Sequence, residues 1–150
     1  MSSHSAVSIP GRSLLALTDE IYTCPFGWLH LVDISNLAQP RIAGEFRLLQ
    51  NRATPCPSGT WTAHNPLPLR DLVLLTWYDG GLFAVDTTDA AHPRLGAQFR
   101  VEGERFWSYP IIRDGLIYVA SIEGGLYILA YNGPHADEVR SIAFAEGNAN

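Results

Sequence analysis

The sequence predicts an all-β protein made of three four-stranded antiparallel sheets, and three observations carry that expectation. Three stretches can be laid over one another: Gly27–Ser35 (GWLHLVDIS), Gly80–Thr88 (GGLFAVDTT) and Gly124–Asn132 (GGLYILAYN). An internal repeat outranks other cues to the fold, because each copy is one structural unit that cannot bury its apolar face alone. Each of these cores is preceded by an apolar segment, Leu14–Thr18, Leu72–Thr76 and Leu116–Ala120, and each segment by another, HSAVSI, HNPLPL and SYPIIR. Finally, Asp79-Gly80-Gly81 and Glu123-Gly124-Gly125 supply the positive backbone dihedrals that a tight hairpin needs between the second and third strands of a unit.

In chain order, the first unit is expected over residues 1–50, the second over 60–102 and the third over 106–146. In the first, the connection between the second and third strands is longer, running from Glu20 to Phe26. Two units carry Pro-Arg after the core (Pro40-Arg41, Pro93-Arg94), and all three are expected to end in a fourth strand with a corresponding aromatic residue, Phe46, Phe99 or Phe144. The step from Gly80 to Gly124 is 44 residues and that from Gly27 to Gly80 is 53, the extra length falling mostly in the loop around Cys56. Asp33 and Asp86 close their third strands ahead of Ser, Thr, Asn or Asp, where side-chain-to-backbone turns form; Ala130 departs from this. The last residues, 147–150, read as a flexible end.

Four short strands in a unit of roughly 40–50 residues match a β-propeller blade. Runs such as LIYVA and GLYILAY are apolar on both faces, as befits a sheet sandwiched between neighbours. Three blades are too few to close a ring, which takes at least four, and an open stack would expose the faces of its first and last sheets. The partners expected are therefore further blades of a longer chain or a second copy of this one, two-fold assemblies being the commonest oligomers.

Composition excludes several classes. At 150 residues and 47% hydrophobic, the chain has enough apolar content for an ordinary core. A net charge of −5 with scattered arginines argues against a nucleic-acid surface. No apolar run approaches the ~20 residues that cross a bilayer, so membrane insertion is not expected. The segment MSSHSAV lacks the charged and apolar regions of a signal peptide, which places a chain starting at Met1 in the cytoplasm. Cys24 and Cys56 are compatible with a disulfide in an oxidising compartment or with two unreactive loop thiols.

The sequence resembles proteins carrying LVIVD repeats, whose third-strand pattern stands here as LHLVDIS and LFAVDTT. More particular marks are Ser3-His4-Ser5, Thr18-Asp19-Glu20, Cys24-Pro25-Phe26-Gly27-Trp28, Thr62-Ala63-His64-Asn65-Pro66, Trp77-Tyr78-Asp79-Gly80-Gly81-Leu82 and Phe106-Trp107-Ser108-Tyr109-Pro110. The resemblance covers essentially the whole chain. It implies a propeller of six to eight blades, often secreted or at the cell surface, without an assigned activity in most members. For a longer chain of that family, export and a Cys24–Cys56 disulfide are what it favours.

Because the first strand of a propeller blade lines the central channel, His4, His64 and Ser108 are expected at equivalent positions near one mouth, with Ser5, Asn65 and Tyr109 beside them. Imidazoles converging there suit a transition metal ion, with Glu20 or Asp19 as a third ligand. The structural alternative is that His4 and His64 hydrogen-bond the backbone of adjacent blades. A second group is aromatic, Trp28, Trp77, Tyr78, Trp107 and Tyr109, and reads either as a binding surface or as packing between blades. Asp19 and Glu20 are expected on opposite faces of an extended strand, at a solvated edge, and His30, His92 and His135 as surface or packing residues.

No nucleophile elbow, phosphate loop or HExxH zinc helix occurs in the sequence. The leading expectation is thus a non-enzymatic module that offers channel-mouth and loop residues to a protein or small ligand, with no cofactor. The alternative is a metal-binding protein or metal-dependent enzyme with its ion on the axis, held by His4, His64 and Glu20.

Overall fold

In the computed structural model, which describes residues 2–147, the chain forms three four-stranded antiparallel sheets. The first contains β1 (Ser3–Ser8), β2 (Leu14–Asp19), β3 (Leu29–Asp33) and β4 (Arg41–Phe46), paired in chain order. The second repeats that order with β5 (Pro66–Pro68), β6 (Leu72–Trp77), β7 (Gly81–Asp86) and β8 (Arg94–Phe99). The third contains β9 (Ile111–Arg113), β10 (Leu116–Ser121), β11 (Gly125–Ala130) and β12 (Phe144–Glu146), with a short helix α1 (Ala136–Ser141) ahead of β12.

Side chains alternate between the faces of a strand, and the second sheet uses both faces. From β6, Val73, Leu75 and Trp77 join Leu14, Ala16, Leu29, Leu31 and Phe46 of the first sheet in one core, while Leu72 and Leu74 join Ile112, Ile117 and Val119 of the third in another. Every residue of β6 is therefore buried, whereas β10 alternates between covered and open positions. Each fully buried leucine contributes about 1.5–3 kcal/mol, so the second sheet anchors both neighbours.

The expected aspartate turns form. Asp33 accepts the Ser35 backbone N–H at 2.9 Å and Asp86 that of Thr88 at 2.9 Å. The Ser35 backbone bond, with further help from Ser35 and Arg41, holds the Asp33 carboxyl at about 2. These turns reverse the chain into β4 and β8.

The third unit corrects one expectation: Phe144 does not begin a fourth strand beside β11. The sheet order is β11-β10-β9-β12, and Ala145 pairs with Ile112 of β9. Ala130 stands where Asp33 and Asp86 make their turns, so no carboxylate folds the chain back. Instead the chain runs on through Tyr131, whose hydroxyl donates to the Pro134 carbonyl at 2.9 Å. Helix α1 follows, buries Val139, and offers Glu138 to the backbone N–H of Arg70 at 3.0 Å. It then passes Gly115, where an added Cβ would lie 3.1 Å from the Arg140 Cα, and delivers β12 to the other side of the sheet. Gly147 is buried, and a Cβ there would meet the Tyr109 ring at 2.4 Å. The rest of the expected flexible end, 148–150, lies outside the described residues.

Candidate functional site

The side chains that converge come from all three units at one end of the sheets. His4 owes its position to a bulge in β1: Ser3 pairs with Asp19 and Ser5 with Thr18, so His4 is the extra residue between them. Bulges of this kind re-aim a side chain and recur beside functional sites. Glu20 follows directly after β2, opposite in direction to Asp19, as alternation requires.

His64 precedes β5 and is fixed from several sides. Its backbone N–H donates to the Thr76 carbonyl at 2.9 Å, its carbonyl accepts the Thr18 hydroxyl at 2.6 Å, and its Nδ1 lies 2.5 Å from the Trp107 carbonyl. A carbonyl oxygen only accepts, so Nδ1 carries a proton, and in the neutral ring Nε2 presents a lone pair. Nε2 faces Glu20 Oε1 at 3.2 Å, and His4 Nδ1 faces Glu20 Oε2 at 3.5 Å. The two imidazoles stack with centroids 4.4 Å apart.

Two phenols complete the cluster. The hydroxyls of Tyr22 and Tyr78 donate to Glu20 Oε1 at 2.5 and 2.6 Å and lie 2.8 Å from each other. Burial alone would raise the Glu20 carboxyl, but the Tyr22 and Tyr78 bonds and the nearby His64 and His4 bring it below the ordinary carboxylate value. Burial pushes His64 down, against the opposing pull of the Trp107 bond and Glu20. Burial and the Glu20 bond both raise the Tyr78 phenol. The cluster thus biases Glu20 toward its ionised form, His64 toward its neutral form and the Tyr22 and Tyr78 phenols toward keeping their protons.

Some polar atoms here are unsatisfied. His4 Nε2, Ser5 Oγ and Asn65 Oδ1 are buried with no hydrogen-bond partner among the described residues. A buried polar group without a partner costs roughly 1–3 kcal/mol. Asn65 Nδ2 donates to the same Trp107 carbonyl at 2.9 Å. The Trp107 ring is 48% exposed and lies 6.0 Å from the His64 ring. A ligand entering this end would meet it.

Of the residues expected from sequence, His4, Glu20, His64, Asn65, Tyr78 and Trp107 are brought together. Trp77 is not: it is fully buried in the core between the first and second sheets, its indole N–H donating to the Trp61 carbonyl at 2.8 Å, so it belongs to packing rather than to a binding surface. Tyr109 lies apart, against Gly147. Cys24 and Cys56 form a disulfide with Cα atoms 6.0 Å apart. The solvated edge expected for Asp19 and Glu20 is also corrected. Asp19 is buried and meets His30 Nε2 at 2.9 Å, while His30 Nδ1 meets Glu45 Oε1 at 3.0 Å.

The sequence reading missed Tyr22, the His30 network and the joint role of Glu20 with both tyrosines. The signal for Tyr22 was the lengthened connection Glu20–Phe26, which only the first unit has. His4, Glu20 and His64 are a group that could hold a metal ion, their ligand atoms all within 4.8 Å of one another. A second such group, Asp71, His135 and Glu138, lies at α1. There Arg12 already pairs with Asp71 at 3.3 Å, and the backbone N–H of Arg70 occupies Glu138.

Compared with known proteins, the chain matches no family model and no curated protein.

Proposed function

We propose that the chain is a β-propeller-type binding module, similar to proteins with LVIVD repeats, whose ligand-binding surface is the end that carries His4, Glu20, His64, Tyr22, Tyr78 and Trp107. The observation that carries this reading is a polar cluster drawn from all three units, with His4 Nε2, Ser5 Oγ and Asn65 Oδ1 buried beside it and unpaired. Three units converging on one point is what inner strands around an axis produce, and unsatisfied polar atoms there are what an incoming small ligand would satisfy.

The way the sheets stack supports the propeller reading and a second copy of the chain as the partner. The first sheet receives the second on Leu14, Ala16, Leu29 and Leu31, and the second receives the third on Leu72, Leu74, Leu82 and Ala84. The repeat places Leu116, Tyr118, Leu126 and Ile128 at the same positions of the third sheet, where Leu126 is 65% and Ile128 56% exposed. At the other end, Leu15, Leu17 and Val32 correspond to Val73, Leu75 and Val85 and are half-buried. Each end therefore carries the face that the other would receive. A second copy fits both, closing six sheets by two identical contacts.

Sedimentation equilibrium tests this. The wild type is expected as a dimer and the Ile128→Glu variant, which places a carboxylate on the receiving face, as a folded monomer. A wild type that stays monomeric at micromolar concentration contradicts the ring.

A further inference from the structure

We propose that the ligand held at this end is a divalent transition metal ion of the zinc type, coordinated by His4, Glu20 and His64, with a remaining position open toward Trp107. This rests on reading that end as the binding surface and names what binds there.

Two imidazoles and a carboxylate converge here, with their ligand atoms all within 4.8 Å of one another. The Trp107 carbonyl engages His64 Nδ1, so Nε2 is the ring atom left to face the site, and it lies 3.2 Å from Glu20 Oε1. At that distance the two atoms are bridged by a proton or by a metal ion, and the neighbouring groups favour the ion. The two tyrosine hydroxyls donate to the same carboxylate oxygen and hold it in place beside the imidazole. His4 adds a second nitrogen beside Oε2 at 3.5 Å, and its Nε2 is buried without a partner among the described residues.

Metal chemistry matches each of these features. Zinc takes histidine nitrogen and carboxylate oxygen at ~2.0–2.2 Å, which spaces neighbouring ligands roughly 3–4 Å apart, and two histidines with one carboxylate leave a fourth position open. The contacts of 3.2 and 3.5 Å fall in that range. A ligating histidine usually donates its other ring N–H to a carbonyl or carboxylate, which fixes its tautomer; the Trp107 carbonyl does this for His64. Tyr22 and Tyr78 hold the carboxylate by the same logic. The bulge in β1 is what brings His4 round, since a regular strand would pair it and turn it elsewhere.

The test uses the whole 150-residue chain, stripped with chelator and titrated with Co²⁺ alone and then Zn²⁺ alone. Wild type is expected to bind one ion per chain, to show the visible absorption of low-coordinate Co²⁺, and to lose that absorption on addition of Zn²⁺. Losing a group that merely orients a ligating side chain already costs about 10–100-fold in affinity, so Glu20→Gln and His64→Ala are each expected to weaken binding by more than about 100-fold. His64 is buried and its variant can fail to fold, so His4→Gln, on the edge strand, is the second variant and is expected to behave likewise with an unchanged circular dichroism spectrum. Undiminished Co²⁺ binding in folded Glu20→Gln and His4→Gln overturns the assignment. A wild type that assembles as a dimer but takes up neither ion also overturns it, while leaving the binding-module reading intact; the mass of the same sample separates the two failures.

Discussion

His30 shows how one residue can be placed by sequence and misjudged in role. It was legible as a third-strand residue, but nothing in LHLVDIS says that its ring lies between Asp19 and Glu45. Those carboxylates come from two other strands, and cross-strand register is a tertiary fact. The indole N–H of Trp28 donates to Glu45 at 3.2 Å, and the Arg47 guanidinium lies 3.7 Å over the Trp28 ring, which helps to close the network off. Removing one member of a buried pair leaves an uncompensated charge and costs about 3–5 kcal/mol. His30→Ala is therefore expected to lose roughly 3 kcal/mol in urea unfolding, while His92→Ala, on an exposed loop pair, should change stability by under about 0.5 kcal/mol. The pH response of His64 follows from the direction of its shift. Its folded value lies below the ordinary histidine value of 6.5, so the unfolded chain takes up a proton that the folded chain resists. The stability His64 contributes is fully present above about 6.5 and is lost as pH falls below it. Unfolding of the apo protein measured from pH 7.5 to 5 should show a steeper loss for wild type than for His64→Gln.

Among the elements, the connection Glu20–Phe26 is where sequence and structure differ most usefully. The repeat exposed its extra length, but gave no function for it. In the fold it carries Tyr22 to Glu20 and is tied twice to the linker between the first and second units. Cys24 bonds to Cys56 across 32 residues, and the Asn51 amide donates to the carbonyls of Phe26 and Gly27, each at 3.1 Å, and of Trp61 at 3.0 Å. In the chain-entropy account a disulfide closing a loop of that size contributes about 3–4 kcal/mol. The Cys24→Ser/Cys56→Ser double variant is expected to lose an amount of that order in chemical denaturation. It should also bind Co²⁺ more weakly, because Tyr22 is no longer held against Glu20. The third unit carries the opposite lesson. The departure at Ala130 was visible in the sequence, but its consequence was not, since a missing carboxylate says only that the usual turn is lost. Where the chain goes instead depends on Glu138 meeting the backbone at Arg70, and on Gly115 admitting the helix.

For the whole molecule, the sequence was most reliable where the repeat spoke, because stacked units with matched apolar faces have few ways to pack. Three four-stranded sheets and two buried cores follow from that. What could not be read was convergence, since His4, Glu20 and His64 lie up to 60 positions apart and meet only because the inner ends of adjacent sheets do. The same stacking leaves one unused face at each end of the chain. If a second copy covers both, the two His4–Glu20–His64 clusters share one axis, and the faces now exposed at Leu126 and Ile128 become interior. Solution X-ray scattering measures this most directly. A closed pair of chains is predicted to have a radius of gyration of about 19 Å, unchanged over a tenfold range of concentration. A value of about 15 Å, that of a single 150-residue chain, or one that grows with concentration as an open stack would, contradicts it.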